Sequence, residues 1–339
     1  MKQYQLNEGP LLDAAGHLCE AGYATSLVKT YDRKAIRAGK SRIKEWDYYL
    51  IYNDSFGVAL TIADNSYMGL VSASFLDFEN RQETTVSPMF WLPFGRTGFP
   101  ASSKEGDVHK TLKGASFSYT HENGKRHLVA SIDSFADGLP FACDLLLSDE
   151  PEDSMVIATP FPEKKTAFYY NQKIIGMRAE GEVLYCGKRY FFEPKKSFGL
   201  LDWGRGVWTY ENTWYWGAAQ GAIAQHVVGF NIGYGFGDTT AASENILFYD
   251  GKCHKLDDVK FNIPASGYTD PWTFTSSDGR FEMEFTPIID RAAKIDVKLI
   301  VTDQHQVFGR MNGKAILDDG TVIEVKDMLC FAEDVHNKY

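Results

Sequence analysis

Dipeptides that force the chain to reverse are the strongest constraint in this sequence. Asn123-Gly124, Asp250-Gly251, Asp278-Gly279, Asn312-Gly313 and Asp319-Gly320 each stand between runs of alternating apolar and polar residues. Asn-Gly and Asp-Gly accept positive φ at both central positions, which type I′ hairpin turns require. Around Asn123-Gly124 the implied register sets Glu122 opposite Lys125, a favourable cross-strand pair. The last two dipeptides are expected to chain VFGRM, KAIL and TVIEV into a three-stranded meander.

Further strand-like runs fill the rest, among them WDYYLIYN, GVALTIA, MGLVSASFLDF, TAFYYNQKIIGM, WYWGAAQGAI, HVVGFNIGY and KIDVKLIV. Helical patterns are confined to residues 26–38 and a short piece near DTTAASEN. Many short strands separated by turns predict an all-β sandwich or barrel. The acidic, proline-bearing stretch SDEPEDS and the following ATPFPEKKT read as a linker. The expected division is an N-terminal β-barrel domain over 1–165 and a C-terminal one over 166–339.

Charge and cysteine usage narrow the function classes. A formal net charge of −10 disfavours nucleic acid, which needs clustered Lys and Arg. The five cysteines are scattered and never in CxxC spacing, against a disulfide framework or zinc cluster and consistent with a reducing compartment. MKQYQLNEGPLLD lacks an apolar signal core, and no run reaches membrane-spanning length, so a cytoplasmic location is expected.

Metal and nucleotide sites find little support. His121 and His127 flank one hairpin, but the register sets His121 opposite Arg126 and His127 opposite Thr120, on opposite sides of the sheet. The glycines of IGYGFGD are followed by no helix pattern; they read as a bend or a close approach. No GxSxG elbow is present. No metal and no cofactor are therefore expected.

The strongest candidate for chemistry is LDWGRGVWTYENTWYWGAAQG, beginning at Leu201. As a strand, its second part puts Trp214, Trp216, Ala218 and Gln220 on one face. LDWGRG is glycine-rich enough to suggest an irregular loop or bulge. Two readings stand side by side. Trp203, Trp208, Trp214 and Trp216 could plug a core, with Asp202 and Arg205 as a structural ion pair. Alternatively the indoles wall an apolar pocket, and Asp202, poorly solvated, becomes a general acid unless Arg205 neutralises it. In KEWDYYLIYN, Trp46, Tyr48, Leu50 and Tyr52 share one face, and Glu45 and Asp47 the other, as a carboxylate pair or an exposed strand start. Trp91 lies at the base of a long Pro- and Gly-rich segment, 87–110, of a length often found over ligand sites.

EGPLLDAAGHLCEAGYA, KEWDYYLIYND, TIADNSYMGLVSASFLDFE, the DWGRG…WYW segment and the terminal LDDG…EDVHNKY together resemble the bacterial domain of unknown function 2804 family. More distantly, an acidic residue beside WG followed by a W.W strand is similar to the lipocalin-like superfamily of carotenoid hydratases, hydroxyattenuation proteins and fungal Diels–Alderase-type cyclases. That resemblance implies two tandem lipocalin-like antiparallel β-barrels with an apolar ligand cavity. The hydratase branch carries His after the acidic position, where this chain has Trp203.

The expected partner is thus an apolar or amphipathic small molecule, a lipid or isoprenoid. The chain would act as a cofactor-independent hydratase, isomerase or cyclase, with Asp202 as acid and Arg205 orienting it. Trp203, Trp208, Trp214, Trp216, Trp46, Tyr48 and Trp91 would form the ligand wall. A non-catalytic lipid carrier and a carbohydrate-active β-sandwich are the alternatives.

Overall fold

Two long strands return late in the chain to pair with early ones, and these two pairings organise the molecule. Phe198–Val207 pairs antiparallel with Ile43–Tyr52, and Val322–Lys338 with Glu211–Ile223. The computed structural model describes residues 2–297 and 300–338. Lys298 and Leu299 of the KIDVKLIV run, with Met1 and Tyr339, lie outside the described residues.

Around the first pairing grows a 14-stranded sheet and around the second a 9-stranded sheet, both among the described residues. The main path of the first runs from Gln82–Val86 through Met68–Asp77, Phe56–Asp64, Ile43–Tyr52, Phe198–Val207, Phe168–Tyr185, Leu139–Ser148, Lys125–Ala136 and Ala115–Glu122 to Val108–Leu112. The second runs from Lys252–Lys255 through Ile246–Tyr249, His226–Tyr234, Glu211–Ile223, Val322–Lys338, Ile300–Ile316, Phe281–Val297 and Trp272–Ser276 to Val259–Asn262. The all-β class is as expected. In neither sheet do the two end strands pair, so the expected closed barrels are not formed by backbone hydrogen bonds among the described residues.

Sheet membership changes between Val207 and Glu211. The Pro-rich stretch 149–167 is a crossing within the first sheet. Its Met155–Pro160 strand pairs with both Phe168–Tyr185 and Gly22–Ala24. No α-helix occurs among the described residues. Within 26–38 the backbone makes a short strand, Lys29–Thr30, and one 3-10 turn, Arg33–Ala35, which Asp32 caps from its side chain.

The turns divide instructively. Asn123 and Gly124 have φ 52° and 71°, and Asp250 and Gly251 φ 46° and 79°, as a type I′ turn demands. The pairs Glu122 with Lys125, His121 with Arg126 and Thr120 with His127 occur as expected. Asn312-Gly313 is not a turn. It sits inside the continuous Ile300–Ile316 strand at a register shift, where a Cβ on Gly313 would run into Glu282 and Met283 of the neighbouring strand. The expected KAIL strand is therefore the end of a longer one.

The outer face of the first sheet lies against one face of the second. Tyr52 Oη donates to the Leu329 carbonyl at 3.2 Å and accepts from the Gln220 amide at 2.9 Å. Gln220 Nε2 reaches the Leu50 carbonyl at 3.1 Å, and its Oε1 accepts from Gly176 N at 3.1 Å. Both polar atoms of the Gln220 side chain are thus used to register one sheet on the other.

Candidate functional site

Strand alternation delivers the aromatic residues to this inter-sheet layer. Trp46, Tyr48, Leu50 and Tyr52 come from one strand, and Trp214, Trp216, Ala218 and Gln220 from the strand that packs across it. Trp208, in the link between the sheets, sits among them. Its ring centroid is 5.3 Å from that of Trp46, 5.8 Å from Trp214 and 4.9 Å from Phe236. Tyr169 stacks on Trp46 at 6.2 Å, and Tyr48 meets Trp216 edge-on at 6.1 Å.

LDWGRG is not an irregular loop but part of a regular strand, Phe198–Val207. Its glycines serve packing. A Cβ on Gly204 would collide with the Trp46 indole, so the missing side chain is what lets that ring lie flat on the strand. This places Trp46 Nε1 3.1 Å from Asp202 Oδ2.

Asp202 is not paired with Arg205. The two are three residues apart in a regular strand and so project to opposite faces. Asp202 looks into the inter-sheet layer, where Oδ1 lies 2.8 Å from Lys173 Nζ and accepts from Asn171 Nδ2 at 2.6 Å. Lys173 stands directly across from Asp202 in the strand register. Its ammonium also lies 3.7 Å from the Trp216 ring centroid, a cation–π contact.

Arg205 points into the interior of the first sheet and is wholly buried. Its guanidinium pairs with Asp47 at 3.0 Å and donates to the carbonyls of Trp46, Gly204 and Pro100. It is sandwiched between Trp203, 4.2 Å away, and Phe99, 4.7 Å away. Trp203 therefore belongs to this second network and not to the aromatic layer. Glu45 and Asp47 share this interior face and are both buried, not an exposed strand start. Burial pushes both carboxyls up, opposed first by Arg205. Trp91 lies elsewhere again, 69% exposed on the short Met89–Trp91 strand.

Sequence reasoning missed the acid that the structure makes most distinctive. Glu333 lies opposite Trp216 in the register, and its oxygens accept from Trp214 Nε1 at 2.8 Å and Gln306 Nε2 at 3.0 Å. Burial pushes its carboxyl up to about 7, against these hydrogen bonds and the nearby Lys173 charge, with Asp202 adding to the rise. Glu244 is likewise raised, chiefly by burial; its Oε2 accepts from Asn231, whose own Oδ1 accepts from Trp216 Nε1 at 2.7 Å. The signal was present: Leu329, Phe331 and Glu333 share a face, so a charge continues an apolar stripe. Tyr169, Asn171, Lys173 and Ile175 do the same on the strand beside Asp202.

Among the described residues of this layer, two buried polar atoms lack a well-formed hydrogen bond. Asn171 Oδ1 accepts no hydrogen bond, and Tyr48 Oη, which faces Gln306 and Glu333, makes none of good geometry. Trp46 and Trp214 remain half-buried, so the layer meets solvent along that edge. Two cavities lie elsewhere. One of about 390 Å³ is lined by hydroxyl residues such as Ser243, Thr275 and Ser277, and one of about 400 Å³ lies between Glu150, Arg178 and Asp250. Both are open surface depressions, and neither contains the aromatic and acidic residues above.

Comparison with known proteins places the chain. The model of the family described as a domain of unknown function (DUF2804) matches residues 3–339. No curated protein sequence matches. Among solved structures, a putative AttH (NE1406) from Nitrosomonas europaea aligns with TM-score 0.52 at 11% identity, covering 93% of this chain and 98% of that one. CghA with Sch210972 aligns with TM-score 0.52 at 10% identity, covering 98% and 97%. Kievitone hydratase from Nectria haematococca aligns at TM-score 0.44 and 14% identity, covering 92% and 96%. At these identities the first two likenesses are likenesses of fold.

Proposed function

The chain belongs to the DUF2804 family, and from its inter-sheet layer we propose a cofactor-independent enzyme that acts on an apolar or amphipathic small molecule. Glu333 carries the reading. It is a buried carboxyl pushed up to about 7 beside the indoles of Trp214 and Trp216, so both its protonated and its ionised form are accessible near neutral pH. Proton donation to an alkene or enol followed by return of the proton is chemistry that needs no cofactor. The indoles of Trp214 and Trp208 would stabilise positive charge developing on the substrate, the Trp216 ring being already covered by the Lys173 ammonium. Loss of a neighbouring proton from the resulting cation gives isomerisation, attack of water and loss of its proton gives hydration, and attack of a second double bond of the substrate before proton loss gives cyclisation, the proton returning to Glu333 in each case.

In this reading Asp202 is a positioning residue. Both of its oxygens are already occupied, by Lys173, Asn171 and Trp46. It fixes the ammonium that faces Trp216 and leaves proton transfer to Glu333. Tyr48 Oη and Asn171 Oδ1 are the atoms on which a polar group of the ligand would settle. The two sheets would serve as paired lipocalin-like scaffolds, with the ligand between them. CghA, solved with Sch210972, shares this fold with the present chain, which supports a small organic molecule as the ligand class.

The test is to incubate wild type and Glu333→Gln with an apolar extract of the producing cells. Bound and converted species are then followed by mass spectrometry. Wild type should bind and consume one apolar species, and the variant should bind it without consuming it. Equal consumption by both would remove Glu333 from the chemistry. Binding without conversion by wild type would make the protein a carrier.

A further inference from the structure

The segment Met89–Phe94 holds large apolar side chains out in solvent. Met89, Trp91, Leu92 and Phe94 are all exposed, whereas Pro93 between them is buried. Leu92 and Phe94 have φ of 54° and 47°, a left-handed conformation that bulky apolar residues rarely adopt. The loop is nonetheless fixed in place: Leu92 N donates to the Tyr67 carbonyl at 2.9 Å and Phe94 N to the Ser66 carbonyl at 3.0 Å. Ser66 Oγ in turn donates to the Ile43 carbonyl at 2.7 Å.

That chain of bonds places the loop at the end of the molecule where the aromatic layer opens. Beside Ile43, the Arg42 carbonyl accepts from Trp208 N at 3.3 Å, and Trp208 packs on Trp46. Tyr210, also exposed, lies at the same end under the Arg42 guanidinium, 5.8 Å from ring centroid to cation. The charges here run against the net −10 of the chain. Lys40 and Arg96 are exposed and Arg42 is half-buried; of the nearby acids, Asp64 and Glu45 are buried, and the exposed Glu211 beside Tyr210 is paired with Lys338. Arg33 packs against Gly95 in the same loop.

We propose that this end docks on an anionic lipid bilayer, with Trp91, Leu92 and Phe94 entering the interface and Lys40, Arg42 and Arg96 meeting the head groups. Tryptophan beside aliphatic residues, ringed by Lys and Arg, is the composition that favours the membrane–water boundary. Docking in this orientation brings the opening of the aromatic layer to the lipid surface. An apolar molecule would then pass between bilayer and site without crossing water. The inference rests on the loop and its charges, not on any reaction at Glu333, so it stands or falls separately.

The test is vesicle co-sedimentation of the full chain. One set of vesicles is phosphatidylcholine alone and the other contains phosphatidylglycerol. Binding is expected to the anionic vesicles, to weaken as salt is raised, and to fall about tenfold or more in Trp91→Ser/Leu92→Ser. Should that double variant lose its cooperative unfolding, Lys40→Glu decides, because it leaves the loop intact and should still weaken binding. No binding to either vesicle overturns the proposal. So does binding that neither substitution alters. A dimer that the double variant dissociates, with no lipid binding, would assign the patch to a second copy of the chain and equally overturn it.

Discussion

Replacing Glu333 by Gln should change how stability depends on pH, and in a direction fixed by the structure. Burial raises the folded carboxyl from an ordinary 4.5 to about 7. Below about pH 4.5 the group is protonated in both the folded and unfolded states and contributes no pH dependence. Between about 4.5 and 7 the unfolded chain releases its proton while the folded protein keeps it, so stability falls as pH rises. Above about 7 the loss is complete. At roughly 1.4 kcal/mol per unit, the shift corresponds to a loss on the order of 3 kcal/mol across that window. The glutamine side chain does not titrate and would carry no such loss. Its amide would, however, accept from only one of Trp214 Nε1 and Gln306 Nε2 and leave the other buried donor without a partner, at about 1–3 kcal/mol. The variant should therefore be the less stable protein on the acid side of the window and equal to wild type or more stable on the alkaline side. Urea unfolding on each side of the window measures both quantities. Parallel curves, with a constant difference between the proteins, would mean that Glu333 titrates as an ordinary carboxyl, and the argument for it as a proton donor would fail.

Lys173→Met should destabilise by about 3–5 kcal/mol, because it leaves Asp202 buried beside indoles without its cation. The double variant Lys173→Met/Asp202→Asn should recover much of that loss in urea titrations. Arg205→Lys should also destabilise strongly, through loss of the Trp203–Phe99 sandwich and the bonds to three carbonyls, yet leave ligand binding intact in surviving folded protein. Gly204→Ala should displace the Trp46 indole and break its bond to Asp202, costing about 1–3 kcal/mol by overpacking and weakening apolar binding as read by tryptophan fluorescence.

Period-two alternation carried the sequence reading furthest. It set Trp46 with Tyr48, and Trp214 with Trp216, on shared faces, and all four meet between the sheets. The same rule separates Asp202 from Arg205. Expecting an irregular loop in LDWGRG, on the strength of its glycines, hid this. Those glycines keep strand geometry and make room for neighbours, notably Trp46 over Gly204. Gly313 repeats the lesson, since a turn signal became an interior strand position where an added Cβ would meet Glu282 and Met283. Lys173 and Glu333 were harder to find, because their partners sit on strands remote in sequence. Lys173 meets Asp202, and Glu333 meets Trp216, only through pairings that local pattern does not specify. The polar residue on an apolar stripe was legible; what it would face was not.

The most direct measurement of the central claim is electron density for the inter-sheet layer in protein crystallised with the apolar species it extracts from cells. The ligand is expected to be bounded by Trp46, Trp208, Trp214 and Trp216, with a polar atom at Tyr48 Oη or Asn171 Oδ1 and a carbon within reach of the Glu333 carboxyl. A ligand seated in the interior of the first sheet beside Arg205 and Trp203, with the inter-sheet layer unchanged, would contradict it.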